Sequence, residues 1–162
     1  MIVLGIDPGT AITGYGVVRV ENNKNVVLGY GAIRTPSKQA TSFRLETIYG
    51  GVQELVAEFN PDCLAIEELF FNKNVASALA VGQARGVAIL AAAHSGLSVA
   101  EYTPLQVKTA VTGYGRATKE QVAYMVSLLL GLAETPKPDD ITDALAICLC
   151  HGYNAHNWGR SG

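Results

Sequence analysis

The stretch GIDPGTAITGYG, Gly5 to Gly16, places an aspartate at the end of an apolar run and turns the chain at once through Pro8 and Gly9. Met1 to Ile6 (MIVLGI) and Gly14 to Val20 (GYGVVRV) are rich in β-branched residues, and Pro8, Gly9, Thr10 and Thr13 between them are turn formers. The pattern predicts a hairpin with Asp7 near its mouth. A carboxylate leaving an apolar strand must be solvated, paired or bound to a cation, because burying it alone is costly. An isolated Asp-Pro-Gly reads first as a turn cap, so the other acids of the chain decide what Asp7 is for.

With 162 residues, 49% of them hydrophobic, the chain can bury a core of its own, and one domain over residues 1–162 is expected. No basic segment followed by an apolar one opens the chain, and the run GVAILAAA (Gly86 to Ala93) is too short to span a bilayer, so a cytoplasmic protein with no membrane role is expected. Cys63, Cys148 and Cys150 lie in apolar runs without metal-ligand spacing and read as reduced core thiols. The formal net charge of −2 does not advertise a nucleic-acid binder. If four of the 14 acids were metal ligands, however, the remaining 14 − 4 = 10 would face 12 Lys and Arg, leaving a mildly positive surface.

Further along, Asn25 to Arg34 predicts a third strand, and Ser42 caps a helix running to Asn60 despite the local weakness of Gly50-Gly51. Cys63 to Ile66 reads as a buried parallel strand tipped by Glu67 and Glu68, and an Ala/Gly-rich helix is predicted from about Asn74 to His94. Small residues on that helix suit close packing or a subunit contact. Leu97 to Tyr102 is a fifth strand, and Thr103-Pro104 opens a short helix. Thr118 with Gln121 forms a capping-box pattern for a helix through Leu130, and Asp139 or Asp140 opens a last one reaching about Asn154. Antiparallel strands followed by alternating helix and strand give an α/β fold with a mixed five-stranded sheet.

The acids now fall into a pattern. Asp7 closes the first strand and Glu67 the fourth, while Asp140 and Asp143 are three apart on one face of the last helix's first turn; Asp139 and Asp143, four apart, satisfy the same rule. Carboxyl ends of parallel strands share one edge, where ligands of α/β folds bind. First-turn acids also offset a helix dipole, but three separate acidic termini reaching one edge suit Mg²⁺ or Mn²⁺. Two such ions are the arrangement for in-line phosphodiester hydrolysis.

Together, GIDPGTAITGYGV, AIEELFFNKNVASALAVGQARGVAI, YTPLQVKTAVTGYGRATKEQV and DDITDALAIC resemble the RuvC family of Holliday junction resolvases over Ile2 to about His151. The resemblance implies a ribonuclease-H-like fold and a homodimeric, Mg²⁺-dependent endonuclease with two ions per site. Such an enzyme nicks opposed strands of a four-way DNA junction, leaving 5′-phosphate and 3′-hydroxyl ends. It carries the catalytic and metal-binding roles to Asp7, Glu67, Asp140 and Asp143, choosing Asp140 over Asp139. Strand alternation sets Glu68 on the opposite face from Glu67, away from the ligands. DNA-binding roles fall to Phe70, matching an aromatic that stacks on junction bases, and to Lys108 and Lys119 near the scissile phosphate. Arg116 and Lys73 are added as phosphate contacts. His94, His151 and His156 read as surface or cap residues, and Tyr114, Tyr124 and Trp158 as packing or rim residues. The Asn74–His94 helix is the expected dimer contact, and the family works with a junction-binding protein and a branch-migration motor.

Overall fold

In a computed structural model of the chain, residues 1–22, 24–69 and 74–158 are described, with side chains as far as 155. Strands β1 (Ile2–Asp7), β2 (Ile12–Glu21) and β3 (Lys24–Arg34) form an antiparallel meander. On the other side of β1, β4 (Cys63–Glu67) and then β5 (Ser98–Tyr102) add in parallel, giving the order β3-β2-β1-β4-β5. The mixed five-stranded sheet is thus the expected one.

β1 lies at the centre because both of its faces are apolar. Val3, with Cys63 and Ala65 of β4, faces α5 (Asp139–Trp158), behind which lie α3 (Pro104–Thr112) and α4 (Lys119–Leu130). Leu4, Ile6, Leu64 and Ile66 face α1 (Thr41–Phe59) and α2 (Val75–His94). Fully burying a Leu, Ile or Val contributes about 1.5–3 kcal/mol, so exposing either face would cost far more than one surface contact could return. Ile6 and Ile66 therefore commit their face to α1 and α2, and alternation turns Asp7 and Glu67 toward α5.

Glycines let α5 approach the sheet closely. A Cβ on Gly5 would run into the Ala144 carbonyl and Cys148 Sγ, and one on Gly14 into the backbone of Asp140. Gly14 is the register partner of Asp7, so this contact lowers the start of α5 onto the end of β1. Thr142 Oγ1, buried, donates to the Pro136 carbonyl at 3.0 Å and anchors that first turn.

The expected capping box of Thr118 with Gln121 forms, and the start of α3 at Thr103-Pro104 carries a second, unanticipated one, Thr103 with Gln106. The start of α1 differs from expectation. Gln39 N–H donates to the Pro36 carbonyl, and this turn delivers the chain into the helix at Thr41, so Ala40 is the N-cap without a side-chain bond and Ser42 lies inside. α1 runs unbroken through Gly50 and Gly51, with Ile33 filling the space a Cβ on Gly51 would need. By length and composition α2 is apolar enough to cross a bilayer, which the shorter run Gly86 to Ala93 does not suggest. Its Ala84, Ala88, Ala91 and Ala92 are buried, the last three within the core beneath the sheet.

Candidate active site

Asp7 ends β1 in a loop whose shape is held from several sides. Thr13 Oγ1, fully buried, donates to the Gly9 carbonyl at 2.7 Å and accepts from Gly9 N–H at 3.3 Å. Thr35 Oγ1 donates to the Thr10 carbonyl at 2.5 Å and in turn accepts from Arg44 Nε at 2.8 Å. Pro8 and Gly9 make the turn, and the threonines satisfy backbone groups that the strands leave behind.

The Asp7 carboxyl is pushed up from 3.8 to about 8, by burial first and then by the charges of Asp143, Asp140 and Glu67, with Lys119 opposing. Burial, followed by Asp143, also raises Glu67, while Lys108 and Lys119 pull it down. For Asp143, burial outweighs the nearby Lys119 ammonium, and Asp140 and Asp139 add to the rise. Burial works against the Lys119 ammonium, yet Asp143, Asp139 and Asp7 together raise its pKa. Acids from three distant segments therefore share one field, in which Asp143, Asp140 and Glu67 make ionisation of Asp7 harder and Asp143 does the same to Glu67.

A cavity of about 250 Å³ opens beside two of them, lined by Glu67, Asp143, Lys108 and Lys119 together with Pro104, Val107, Val122 and Ala146. At about 30 Å³ per water it has room for a phosphate group with several waters. Lys119 Nζ stands 3.3 Å from Asp143 Oδ2 and 3.8 Å from Asp139 Oδ2. Asp139 is turned outward and pairs with Lys137 at 2.9 Å, which holds its carboxyl below the usual range. Asp140 instead adds to the field on Asp7, while Asp139 acts on Asp143 and Lys119.

Donor chemistry fits a hard divalent cation: all four groups are carboxylates, and crowded acids of raised pKa are what such a charge would relieve. As placed, no three Asp, Glu, His or Cys side chains among the described residues converge on one ion position, so ligation requires side-chain rotation. Asp7, Glu67, Asp140 and Asp143 are the residues that would hold it.

Other expectations fare differently. Lys108 and Lys119 line the cavity. Arg116 is exposed in the loop before α4 and is not among the lining residues, because the turn beginning at Gly113 directs that loop around the end of α3. Phe70 and Lys73 lie outside the described residues. Tyr114 and Tyr124 are exposed, as rim residues would be. His151 is not a surface or cap residue: half-buried on α5, it bonds Tyr102 Oη through Nδ1 at 2.7 Å and Cys63 Sγ through Nε2 at 3.2 Å, and burial lowers its pKa. His94 does end α2, where Nδ1 bonds Tyr49 Oη at 2.5 Å. Arg85 was not anticipated, although it is the one Asp, Glu, Lys or Arg in the apolar helix Val75–His94, and a lone charge there is a legible signal.

A model of the crossover junction endodeoxyribonuclease RuvC matches residues 3–151. The chain belongs to the RuvC family. It is 60% identical over 151 residues to the RuvC of Moorella thermoacetica, covering 93% of this chain and 90% of that one. With the RuvC of Alkaliphilus metalliredigens it shares 58% over 156 residues, 96% of this chain and 95% of the relative. Among solved structures, T. thermophilus RuvC in complex with Holliday junction substrate superposes with a TM-score of 0.93 at 40% identity, covering 98% and 96% of the two chains. The yeast mitochondrial Holliday junction resolvase, at 14% identity and a TM-score of 0.67 over 98% of this chain and 80% of that one, shares the fold. RuvC-family membership makes the chain an endodeoxyribonuclease with the ribonuclease-H-like architecture of these relatives.

Proposed function

We propose that this RuvC-family chain, acting as one nuclease domain in the cytoplasm, resolves four-way DNA junctions in recombination and repair by paired, symmetric hydrolysis of phosphodiester bonds. The observation that carries this reading is the meeting of Asp7, Glu67 and Asp143, each raised by burial and by neighbouring acids, with Asp140 beside them, next to a cavity that also presents Lys108 and Lys119. Asp7, Glu67, Asp140 and Asp143 would hold Mg²⁺, or Mn²⁺ in its place, as two ions; when bound, these would supply water activation and charge stabilisation at the departing 3′ oxygen. Asp7 must give up its proton when it takes on a ligand role, because an acid with a pKa of about 8 is mostly protonated at neutral pH. Lys119 and Lys108 position the scissile phosphate and offset charge gained on its oxygens. Arg116 and Lys73 hold neighbouring phosphates, and Phe70 stacks on bases unpaired at the junction centre.

Paired cuts on a two-fold substrate call for two sites in two-fold relation, and a homodimer supplies them. Val75, Leu79 and Leu90 leave large apolar groups exposed on α2, which supports that helix as the contact. A junction-binding protein and a branch-migration motor complete the expected partners.

The test offers purified protein a synthetic four-way junction, the matching duplex and an RNA–DNA hybrid, with and without Mg²⁺, and maps every cut. Symmetric, Mg²⁺-dependent junction nicks that vanish in Asp7→Asn while junction binding survives are expected. Cutting confined to the hybrid, or binding without cutting under any divalent metal, refutes the proposal.

A further inference from the structure

Helix α2 touches both the loop that follows Asp7 at the end of β1 and Glu67 at the end of β4. The Ala80 carbonyl accepts from Thr10 Oγ1 at 3.2 Å, in the loop that follows Asp7. Farther along the same helix, Arg85 Nε donates to the carbonyl of Glu67 at 3.2 Å, and its Nη2 pairs with Glu101 of β5 at 2.9 Å. The Arg85 side chain is 18% exposed and that of Glu101 45%. An alanine-rich helix does not need a guanidinium to pack, and covering most of one is unfavourable unless its donors are satisfied.

The strand register explains why the Glu67 carbonyl needs a side-chain donor. β1 and β4 pair in parallel through Ile6 and Ile66, while Glu68 N–H already turns the other way, to the Tyr102 carbonyl of β5. One more step in this register sets Glu67 beside Asp7 and aims its carbonyl at Pro8, whose ring nitrogen has no hydrogen to give. Arg85 takes the place of that missing donor. Its rigid fork donates to a carbonyl through Nε and to a carboxylate through Nη2, which a single ammonium cannot do in the same plane.

We infer that Arg85 is a positioning residue for the reaction: it fixes the main chain of Glu67 against α2 and β5, so that the Glu67 carboxylate is held where the other acids require it. The inference rests on the reading of Glu67 as a functional carboxylate. Arg85 acts through Glu67, and α2, the helix with exposed apolar groups, is thereby joined rigidly to the tip of β4.

The test uses the full chain with Arg85→Ala and Arg85→Lys. Single-turnover cutting of a four-way junction under saturating enzyme and Mg²⁺ is compared with junction Kd in EDTA, the thermal midpoint, and Mg²⁺ affinity by titration calorimetry. Misplacing a reacting group slightly can lower a rate by about 100-fold, so Arg85→Ala should lose about that much in cutting rate. Junction Kd should stay within about twofold, since Arg85 faces protein groups and not the cavity. Arg85→Lys should keep the thermal midpoint yet recover under about a tenth of the rate, because a merely structural role would restore both together. Mg²⁺ affinity should fall by about tenfold in both variants, as it does when an outer support of a ligand is removed. Wild-type cutting rate and Mg²⁺ affinity in either variant, a loss confined to Kd, or activity that simply follows the thermal midpoint overturns the inference. A wild-type protein that leaves the junction uncut refutes the junction activity instead, and the calorimetry then decides the role of Arg85 by itself.

Discussion

Asp7→Asn should stabilise the protein in the absence of divalent metal while ending its cutting. Folding raises the Asp7 carboxyl from 3.8 to about 8, through burial and then the charges of Asp143, Asp140 and Glu67. Between those two values the folded state holds a proton that the unfolded chain releases, so stability falls as pH rises across that window and levels off above it. Asp7's contribution is fully present below pH 3.8 and lost by about pH 8. At 1.36 kcal/mol per unit, the interval from 3.8 to 7 sets a ceiling of about 4 kcal/mol on what Asp7 costs at neutral pH. Asn removes the ionisable group but still buries a polar one, so a gain of about 1–3 kcal/mol near pH 7.5 is expected. Urea unfolding in EDTA, at matched protein concentration and at pH 4.5, 6 and 7.5, measures it; the two proteins should converge at the acid end. Adding Mg²⁺ should reverse the order by stabilising the wild type alone. Equal stability at pH 7.5 in EDTA, or a less stable Asp7→Asn, would refute the argument that uncompensated acids are crowded at this site.

Asp143→Asn should lower junction cutting by about a thousandfold or more while binding in EDTA persists, as a gel assay of each will show. Lys119→Ala removes the 3.3 Å partner of Asp143 and should raise that acid further. The pH–rate profile should therefore shift to higher pH, and the salt dependence of junction binding should become shallower by about one phosphate contact. Gly14→Ala should displace the start of α5 and reduce both the thermal midpoint and cutting, because its Cβ would meet the Asp140 backbone. Gly50→Ala, within α1 and with open space around it, should instead stabilise by up to about 1 kcal/mol and leave cutting unchanged.

What sequence reveals here is mostly local. The hairpin around Asp7 follows from β-branched runs separated by turn formers, the start of α3 from a proline in the first helical position, and that of α4 from a capping box whose partners lie three residues apart. Asp7 and Glu67 are legible because an acid at an apolar strand end is conspicuous. Asp140 is not separable from Asp139 by spacing, since what distinguishes them in the structure is the pairing of Asp139 with Lys137 at 2.9 Å. Ser42 misleads because the turn at Pro36 starts α1 before the best capping side chain arrives. Arg85 and His151 acquire their meaning from partners on other elements, Glu67 and Glu101 for one and Tyr102 and Cys63 for the other. No periodicity connects such pairs, so only the assembled fold displays them.

The close seat of α5 on β1 and β2 also bears on when this nuclease becomes dangerous. Asp7 and Glu67 leave the ribosome early, but Asp140 and Asp143 belong to a helix that follows every strand of the sheet. A nascent chain therefore has half of its acids and nothing to hold them together. Until α5 has emerged and settled on Gly5 and Gly14, the pieces are present but the blade is not. On the proposed reading of these four acids as the catalytic set, a chain still being made would be unable to cut DNA until its last layer closes.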